Sequence, residues 1–411
     1  MKTSSYLLFL FFVVHFSSAT TIPVGANFPV KSIKKAIALS KKGDTIIVNK
    51  GIYREGNIII NKKIVFLGKG FPILDGQNRN EVLSVKADSV IVKGFKLINS
   101  GHAALSDPCG IKVYNCTFVR VFNNILDNNF FGIYLQNCNN CIVKGNEIRA
   151  YGKAEQLIGN GIHCWKSQNL QIIANYITGH RDGIYFEFVT NSVIWRNIST
   201  QNIRYGLHFM FSNEDSYITN VFKNNGAGVA VMFSRKVNMF NNTFENNWGD
   251  SSYGLLLKEI SDGYIFNNKF IQNTSAIYME GISRIKIEKN DFISNGWGIK
   301  IQASCMDNEL VNNNFLKNTF DISTNGSLVL NTFNSNYWDK YEGYDLDKNG
   351  VGDVPYHPLS LFAVLTEKTP STMLLYRSFM ITLLDKSEKI LPSITPDNFI
   401  DKTPLMKSLP L

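Results

Sequence analysis

The chain has 411 residues, of which 44% are hydrophobic and 18% are charged, so disorder along its whole length is excluded. The formal net charge of +9 is spread without a long Lys/Arg block, and nucleic acid is therefore the partner class that the sequence favours least. Asparagine is abundant, with 47 residues, and it tolerates tight left-handed corners. The composition predicts a folded chain with many sharp turns.

The first 19 residues have the pattern of a secretory signal peptide. Lys2 precedes an apolar run over Tyr6–Val14, and Ser17–Ala19 supplies small residues for cleavage after Ala19. The run is too short to span a membrane, and no later stretch reaches about 18 uninterrupted apolar residues. We expect the mature protein to be exported and soluble.

Residues 20–43 form an N-terminal segment with a predicted capping helix. Apolar residues stand at positions 30, 33, 36, 37 and 39, which is helical spacing. A short amphipathic helix here would close the open end of the repeats that follow, as the terminal caps of solenoids do.

Two sequence patterns recur in step along most of the chain. The first is a Gly-apolar-x-apolar-x segment, which begins at Gly110, Gly132, Gly161, Gly183, Gly206, Gly228, Gly254, Ala276 and Gly298. The second is an asparagine column at Asn124, Asn146, Asn175, Asn197, Asn220, Asn242, Asn268, Asn290 and Asn313. Both columns advance by 22 or 23 residues, apart from shared steps of 29 and 26 that mark insertions.

This period predicts an all-β fold, namely a right-handed parallel β-helix of the pectin-lyase-like type over residues 44–336. A repeat near 22 residues is too short for a helical pair or a propeller blade. Each repeat holds short runs of alternating polarity between Asn/Gly corners, which indicates three short strands per turn. Equivalent residues then stack one turn apart, and the asparagines form a structural ladder.

Alternation along the glycine strands separates an interior from an outward face. The positions one and three residues after each glycine are apolar in every repeat and should fill the interior. The positions two and four residues after it should face outward, and in the middle repeats these carry His163, Glu187, His208, Met210 and Met232. Ordinary exposed strands carry threonine, lysine and serine instead.

The outward histidines and methionines are candidate copper ligands. His208 and Met210 lie about 6.6 Å apart on one strand, and Met232 lies one turn above Met210. Thioether and imidazole groups together favour Cu(I). His163 and Glu187 are further candidates, and so is His180, although a salt-bridged turn with Arg181 and Asp182 also explains it. Alternatively, the insertion around residues 151–157 covers this face, and its side chains are ordinary packing.

Residues 337–357 contain an Asp-rich loop that resembles a calcium site. Oxygen ligands of such a loop stand at alternating positions, with a glycine at the sharp turn. The candidate ligands here are Asp345, Asp347, Asn349, Val351 and Asp353. Tyr356 stands where the bidentate glutamate is expected, so the match favours a structural calcium ion over a sensor. A carboxylate-rich turn without metal is the alternative.

Cysteine spacing leaves the disulfide state open. Cys116 and Cys138 each lie eight residues before a ladder asparagine, which places them on adjacent turns as a disulfide or as a stack of thiols. Cys141 completes a Cys-x-x-Cys spacing, but no βαβ pattern supports redox chemistry around it.

The last segment, residues 358–411, is an apolar tail that lacks the asparagine ladder. It predicts short helices, interrupted at Pro370 and Pro392, whose exposed apolar surface must meet a partner or the end of the β-helix. The candidate docking residues are Leu361, Phe362, Leu374, Leu375, Phe379, Leu383 and Leu384.

Segments along nearly the whole mature chain, in order, resemble the NosD family of nitrous oxide reductase maturation proteins. They are Gly159–His163, Arg181–Glu187, Arg204–Met210, Ser252–Lys258, Leu330–Phe333, Ser335–Trp338, Asp345–Asp353, Tyr376–Phe379 and Pro404–Met406. The resemblance implies a periplasmic protein that works with an ABC transporter (a permease and an ATPase) and a copper-donor lipoprotein. It implies that Cu(I) is bound transiently while the copper centres of nitrous oxide reductase are assembled, and that the membrane is met through the permease.

The main alternative is a polysaccharide lyase, an epimerase or a carbohydrate-binding protein, since many parallel β-helices act on acidic polysaccharides. Such chemistry needs clustered carboxylates on the outward sheet. Glu187 and Glu280 lie four turns apart there, roughly 19 Å from the ~4.8 Å spacing of the strands. They cannot share one substrate bond, so we expect a protein that is not an enzyme.

Overall fold

The computed structural model describes residues 19–102, 107–326, 330–390 and 399–410. The predicted signal peptide lies outside these residues, apart from Ala19. The predicted right-handed parallel β-helix is confirmed: named strands pair in parallel with the strands one turn before and after them. We call each turn a rung.

Each complete rung contributes a strand to three faces. The glycine sheet contains the glycine strands, which are Ile58–Ile60, Leu83–Val85, Cys109–Tyr114, Phe131–Gln136, Ile162–Trp165, Asp182–Glu187, Tyr205–Met210, Ala227–Arg235, Tyr253–Phe266, Ser275–Glu280, Trp297–Ile301 and Phe320–Thr324. The strand Tyr253–Phe266 continues around the corner into the second sheet.

The other two faces complete the wall. The second sheet consists of Thr21–Val24, Thr45–Asn49, Val65–Lys69, Ile91–Lys93, Arg120–Phe122, Ile142–Lys144, Gln171–Ile173, Val193–Trp195, Ser216–Ile218, Asn238–Phe240, Ser283–Glu288, Met306–Val311 and Leu330–Asn334. The third sheet consists of Ile52–Tyr53, Ile73–Asp75, Lys96–Ile98, Ile125–Asp127, Glu147–Arg149, Tyr176–Thr178, Ile198–Thr200, Val221–Lys223, Thr243–Glu245, Lys269–Ile271, Asp291–Ile293, Asn314–Leu316 and Tyr337–Trp338.

The interior is a column of stacked apolar side chains. The residues one and three positions after the repeat glycines are all buried, as predicted. Aromatic rings on the third sheet stack through six consecutive rungs, with centroids 4.2–5.6 Å apart: Phe222, Phe244, Phe270, Phe292, Phe315 and Trp338. Each buried ring or aliphatic side chain stabilises the fold by about 1.5–3 kcal/mol relative to exposure.

The predicted asparagine ladder exists, and a second ladder accompanies it. In the first, each side-chain amide donates to the side-chain oxygen one rung on, at 2.9–3.0 Å. A second, unpredicted ladder lies five residues further along each repeat, at Asn202, Asn225, Asn247, Asn273, Asn295 and Asn318. Both satisfy backbone groups at corners that would otherwise be buried without partners.

The N-terminal cap is helix α1, Ile33–Leu39. Ser32 caps it by accepting a hydrogen bond from the Lys35 amide at 3.2 Å, and the Glu55 carboxylate accepts from the Ile33 amide at 2.7 Å. The first strand of the second sheet, Thr21–Val24, pairs with Thr45–Val48, so the β-helix begins before the predicted start at residue 44.

The C-terminal region has two parts. Helix α2 (Leu361–Lys368), a 3₁₀ turn (Pro370–Leu375) and helix α3 (Phe379–Ile390) follow the last rung, in agreement with the predicted short helices. Residues 399–410 return to the end of the β-helix, where Asp401 accepts from the Asn336 side chain at 3.1 Å and ends the first ladder. None of the described helices is both long enough and apolar enough to cross a membrane.

Candidate functional site

Strand pairing brings four of the predicted copper candidates together. Glu187, Met210 and Met232 are register partners on three successive rungs of the glycine sheet, and His208 lies two residues before Met210. Glu187 and both methionines are partly exposed, whereas His208 is buried. We call these four residues the soft-ligand strip.

A buried carboxylate lies behind His208. The His208 Nδ1 atom is 3.5 Å from Asp182 Oδ2 and 3.3 Å from Arg204 Nη2, while its Nε2 atom is buried without a partner. Burial raises the pKa of Asp182, but hydrogen bonds from Arg204 and then His208 outweigh burial and hold that pKa below its usual 3.8. A carboxylate on one imidazole nitrogen is the arrangement that orients metal-binding histidines and leaves the other nitrogen free.

His163 belongs to an aromatic column rather than to the soft-ligand strip. Tyr134, His163, Tyr185 and His208 stack on four rungs with centroids 4.3, 4.8 and 4.8 Å apart. Tyr185 separates the two histidines by two rungs, about 9.6 Å, so they cannot bind one ion. Burial, and then the Arg181 charge, lowers the pKa of His163 to about 3, so its imidazole is neutral at ordinary pH.

The column also reaches Met210. The Tyr185 hydroxyl donates to the Met210 Sδ atom at 3.7 Å, which holds the thioether against the ring that stacks on His208. The positions two residues after each repeat glycine were predicted to face outward, and they do so. Four of these residues are nevertheless buried, namely Lys112, Tyr134, His208 and Ala230. The large side chains of this column stack on one another across rungs only ~4.8 Å apart, so they exclude water without a covering layer.

His180 is not part of this surface. It stands in the column of the second asparagine ladder, its amide donates to Asn202 Oδ1 at 3.2 Å, and its ring is fully buried. Burial lowers the pKa of His180 to about 4. The corner turns the side chain into the wall, so His180 does not join the soft-ligand strip, and copper binding by its two unpartnered ring nitrogens stays a prediction.

The apolar side chains of the insertion at residues 151–157 do not pack over the soft-ligand strip, although the charge of Glu155 reaches Arg204 and Tyr205 beside it. It contains a 3₁₀ turn at Glu155–Leu157, and the Leu157 carbonyl oxygen is 3.1 Å from His102 Nε2, which anchors the loop on earlier rungs. Tyr151 and Leu157 are 66% and 59% exposed, so their apolar side chains are not packed over the sheet. Met210 and Met232 therefore stay accessible.

A stack of three exposed phenylalanines lies directly beside the soft-ligand strip. Phe188, Phe211 and Phe233 each follow a strip residue, and their rings stack with centroids 5.2 and 5.1 Å apart and planes within 11° and 13° of parallel. All three have positive φ, between 49° and 54°. Bulky residues rarely adopt this conformation, at a cost of order 1–3 kcal/mol each. We call this stack the Phe ridge.

Sequence reasoning did not single out the Phe ridge. Its residues stand five positions after the repeat glycine. The alternation of inward and outward side chains was followed only over the first four positions, so the fifth was not considered. The signal was present, since three consecutive repeats place phenylalanine at a corner where Asn115 and Asn137 stand in earlier repeats.

The Asp-rich loop binds its own backbone. Asp345 accepts from the Asn349 and Gly350 amides at 3.1 and 2.8 Å, and Asp353 accepts from the Leu346 amide at 2.7 Å. The Asn349 side chain bonds Asp347 Oδ2 at 2.8 Å and accepts from the Val351 amide at 2.7 Å. Calcium binding by this loop stays a prediction.

The predicted docking residues divide into two groups. Leu374 and Phe379 are 89% and 83% exposed, and Leu375 and Leu383 are about half exposed. Phe362 is buried against Phe320, with ring centroids 5.6 Å apart, so it packs the helix onto the β-helix, and its docking role stays a prediction. Leu361 and Leu384 are partly buried.

All six cysteines are buried free thiols, so Cys116 and Cys138 are not joined by a disulfide. Burial raises the pKa of Cys116 to about 11, which leaves the thiol unreactive at ordinary pH. Within the described ranges, no three His, Cys, Asp or Glu side chains converge as a metal site, so any metal held at the soft-ligand strip depends on thioether ligands.

Sequence comparison gives one family. Residues 149–343 match the family described as periplasmic copper-binding protein (NosD). A probable ABC transporter binding protein NosD of Pseudomonas aeruginosa is 31% identical over 113 residues, which cover 27% of this chain and 26% of the relative. The protein of the same description from Stutzerimonas stutzeri is 30% identical over 113 residues, with the same coverage. The match thus spans about a quarter of each curated relative.

Structural neighbours share the fold. A mutant of the periplasmic alginate epimerase AlgG has a TM-score of 0.53 and 17% identity, over 68% of this chain and 77% of its own. PfbA, a surface adhesin of Streptococcus pneumoniae, has a TM-score of 0.53 and 14% identity, over 72% and 87%. A family 28 exopolygalacturonase of Yersinia enterocolitica has a TM-score of 0.53 and 12% identity, over 77% of both chains. At such identities the likeness shows the β-helix alone.

Proposed function

Since the chain is NosD-like over residues 149–343, we propose that it is a periplasmic accessory protein that accepts Cu(I) as cargo and passes it on. It serves assembly of the copper centres of nitrous oxide reductase, together with an ABC transporter and a copper-donor lipoprotein. It carries no catalytic step of its own, and the transporter ATPase supplies the energy.

The observation that supports this proposal most directly is the arrangement of His208, Met210 and Met232. It joins one imidazole with an unpartnered buried Nε2 atom to two thioethers on consecutive rungs. Soft thioether ligands select Cu(I) over harder ions. Ionised Asp182 orients the imidazole, and Glu187 supplies a negative charge beside Met210.

Exposure of the ligands suits transfer rather than storage. A Cu(I) ion between the partly exposed methionines can exchange to thioethers of a partner without unfolding of the wall. His208 gives the site a fixed inner edge, since its position is held by Asp182, Tyr185 and Tyr205.

The helices after the last rung provide the contact with the transporter permease. A groove of about 320 Å³ opens between them, lined by Phe362, Leu365, Leu375, Met380 and Leu384 among others. Exposed Lys368, Arg377 and Lys386 lie on the same segment and suit anionic headgroups around the permease. Residues 399–410 act as a cap instead, so removal of everything beyond residue 390 would test folding rather than docking.

The polysaccharide alternative lacks its chemistry at the predicted carboxylates. Glu280 forms an ion pair with Lys258 at 3.0 Å, and Glu187 lies four rungs away beside Met210. The similarity to the epimerase and the polygalacturonase supports the fold and gives no argument for a substrate of this chain.

Anaerobic Cu(I) titration against a competing chromophoric chelator tests the proposal. Met210→Leu combined with Met232→Leu keeps side-chain volume and removes both soft ligands. We expect Cu(I) affinity to fall on the order of 10- to 100-fold. Met306→Leu, at a 45% exposed methionine of the second sheet, is the matched control and should bind as the wild type does. Equal affinity of the double variant and the wild type would overturn the assignment.

A further inference from the structure

The Phe ridge presents mainly ring edges, because each ring has at least one face stacked on a neighbour. The faces of Phe211 are covered by Phe188 and Phe233, yet the three side chains stay 45%, 39% and 42% exposed, in chain order. Sugars stack on open aromatic faces, so this geometry does not favour a glycan. Ring edges favour contact with sulfur and with other apolar side chains.

The free protein gains little from these phenylalanines. Their corner position needs a left-handed backbone, which Asn115 and Asn137 adopt at the same position of earlier rungs and Gly281 adopts on a later one. Asparagine or glycine would fit there with less strain and without exposed apolar area. The left-handed conformation recurs at the corners of many rungs, so the ridge is distinguished by its three exposed phenylalanines on consecutive rungs. Contiguous exposed apolar side chains are typical of interaction surfaces.

The size of the surface indicates what kind of partner it fits. Three rings exposed by about two fifths present on the order of 250 Å² of apolar area. This is too little for a permanent dimer, which buries more than ~2,000 Å², but it suits the apolar centre of a transient interface. A cleft of about 300 Å³ at the Phe188 end, lined by Asn137, Lys166 and Thr190 among others, gives a partner side chain a place to enter.

We propose that the Phe ridge, with Met210 and Met232 at its side, docks a transient protein partner through an apolar, methionine-bearing surface of that partner. The proposal rests on the proposed function, because it identifies the chemistry of the protein that exchanges Cu(I) with the soft-ligand strip. Partner methionines that pack on the ring edges lie next to Met210 and Met232, so the ion passes from thioether to thioether without release into solvent.

The chain offers a substitution that removes the ridge and relieves the backbone. The triple variant Phe188→Asn, Phe211→Asn, Phe233→Asn places at each corner the residue that Asn115 and Asn137 show to fit. Its melting temperature should equal or exceed that of the wild type, and its own Cu(I) affinity should be unchanged. Phe118→Asn, at a 56% exposed phenylalanine with a φ of 59° away from the soft-ligand strip, is the matched control.

The probe is a fluorescein-labelled peptide that alternates methionine with leucine, measured by anisotropy in its apo form and by Cu(I) transfer in its loaded form. We expect the triple variant to bind the peptide at least ~10-fold more weakly than the wild type and Phe118→Asn do, and a peptide with serine for methionine to bind none of them. Equal binding of the methionine peptide by the triple variant and the wild type overturns the docking proposal, even if the variant still binds Cu(I).

Two further outcomes assign the ridge elsewhere. If sedimentation shows that the wild type is a dimer and the triple variant is not, the Phe ridge is an interface between two copies of this chain. If the wild type binds uronate oligosaccharides and the same variant does not, the Phe ridge is a glycan-binding surface. Failure of the wild type itself to bind Cu(I), with peptide binding intact, would overturn the proposed function and leave the docking surface standing.

Discussion

The middle and the C-terminal end of the glycine sheet share one backbone and differ in what lies over them. At the C-terminal end, Lys300 pairs with Glu367 of helix α2 at 2.8 Å, and Phe320 packs against Phe362 of the same helix. In the middle, none of the described helices covers Met210 and Met232, and the Phe ridge stands in the open. The same outward columns thus build a covered interface in one region and a surface with soft ligands in the other. The side chains, and not the strand geometry, decide which of the two forms.

The largest expected effect is at the covered end. Phe362→Ala removes a buried ring between Phe320 and Tyr376 and should lower the free energy of unfolding by about 3–5 kcal/mol. Urea unfolding measures the change. Cu(I) affinity should not change, because the helix is far from Met210; a loss of affinity in the folded variant would show that the two regions are not independent.

In the open middle, Asp182→Asn should cost about 3 kcal/mol, because it leaves Arg204 without its buried partner. The folded pKa of Asp182 lies below its usual 3.8, so wild-type Asp182 contributes stability above that pH, and the contribution is lost as the pH falls through the folded value. Chemical unfolding between pH 3 and 7 should show this loss for the wild type and a flatter profile for the variant. Cu(I) affinity should also fall on the order of 10-fold.

A buried acid inside the middle rungs has the opposite pH dependence. Burial raises the pKa of Asp215 to about 8, and its Oδ2 atom has no partner. A raised pKa means that stability is full below the unfolded value and is lost as the pH rises through 8. Asp215→Asn keeps the acceptor for the Ser192 amide and should be more stable than the wild type at pH 8 by about 1–3 kcal/mol.

Thermal unfolding at pH 5 and pH 8 separates these outcomes. The wild type should melt lower at pH 8, and the variant should lose most of that difference. An identical pH dependence for both proteins would show that Asp215 is ionised in the folded state.

The Asp-rich loop is held by the C-terminal cap, since the Met406 amide donates to the Gly350 carbonyl oxygen at 3.0 Å. Bound Ca²⁺ should stabilise this end by roughly 2.7 kcal/mol at 100 times its Kd. Calorimetry with Ca²⁺ and with chelator should show a higher melting temperature in Ca²⁺ for the wild type, and no difference for Asp345→Ala with Asp347→Ala. Equal wild-type values in both conditions would mean that the loop needs no ion.

The smallest effect is expected between the two regions. Lys258 and Glu280 are both more than a third exposed, so Lys258→Ala should change stability by less than about 1 kcal/mol. Denaturant unfolding at low and high salt measures the pair. A larger loss would indicate that this rung is covered in solution.

Local repetition explains how much could be predicted. The repeat glycines, the first asparagine ladder and the alternation of polarity are periodic in sequence, so they fixed the β-helix, its interior columns and the register of Met210 and Met232. The second ladder and the burial of His180 were not predicted because the corner, which has no simple period, decides where such a side chain points. The burial of Phe362 was not predicted because helix periodicity does not reveal which face a neighbouring sheet buries.

The amino-acid sequence by itself determined the solenoid, its rung length, the capping helix and the soft residues on one outward face, since each depends on neighbours at a fixed separation along the chain. Tertiary structure alone decided the rest. It placed Asp182 and Arg204 behind His208, put Tyr185 between the two histidines and turned Asp401 back onto the last asparagine. It also stacked Phe188, Phe211 and Phe233 on neighbouring rungs at the corner. These contacts depend on the path of the chain around corners and back over its own end, and no local pattern encodes that path.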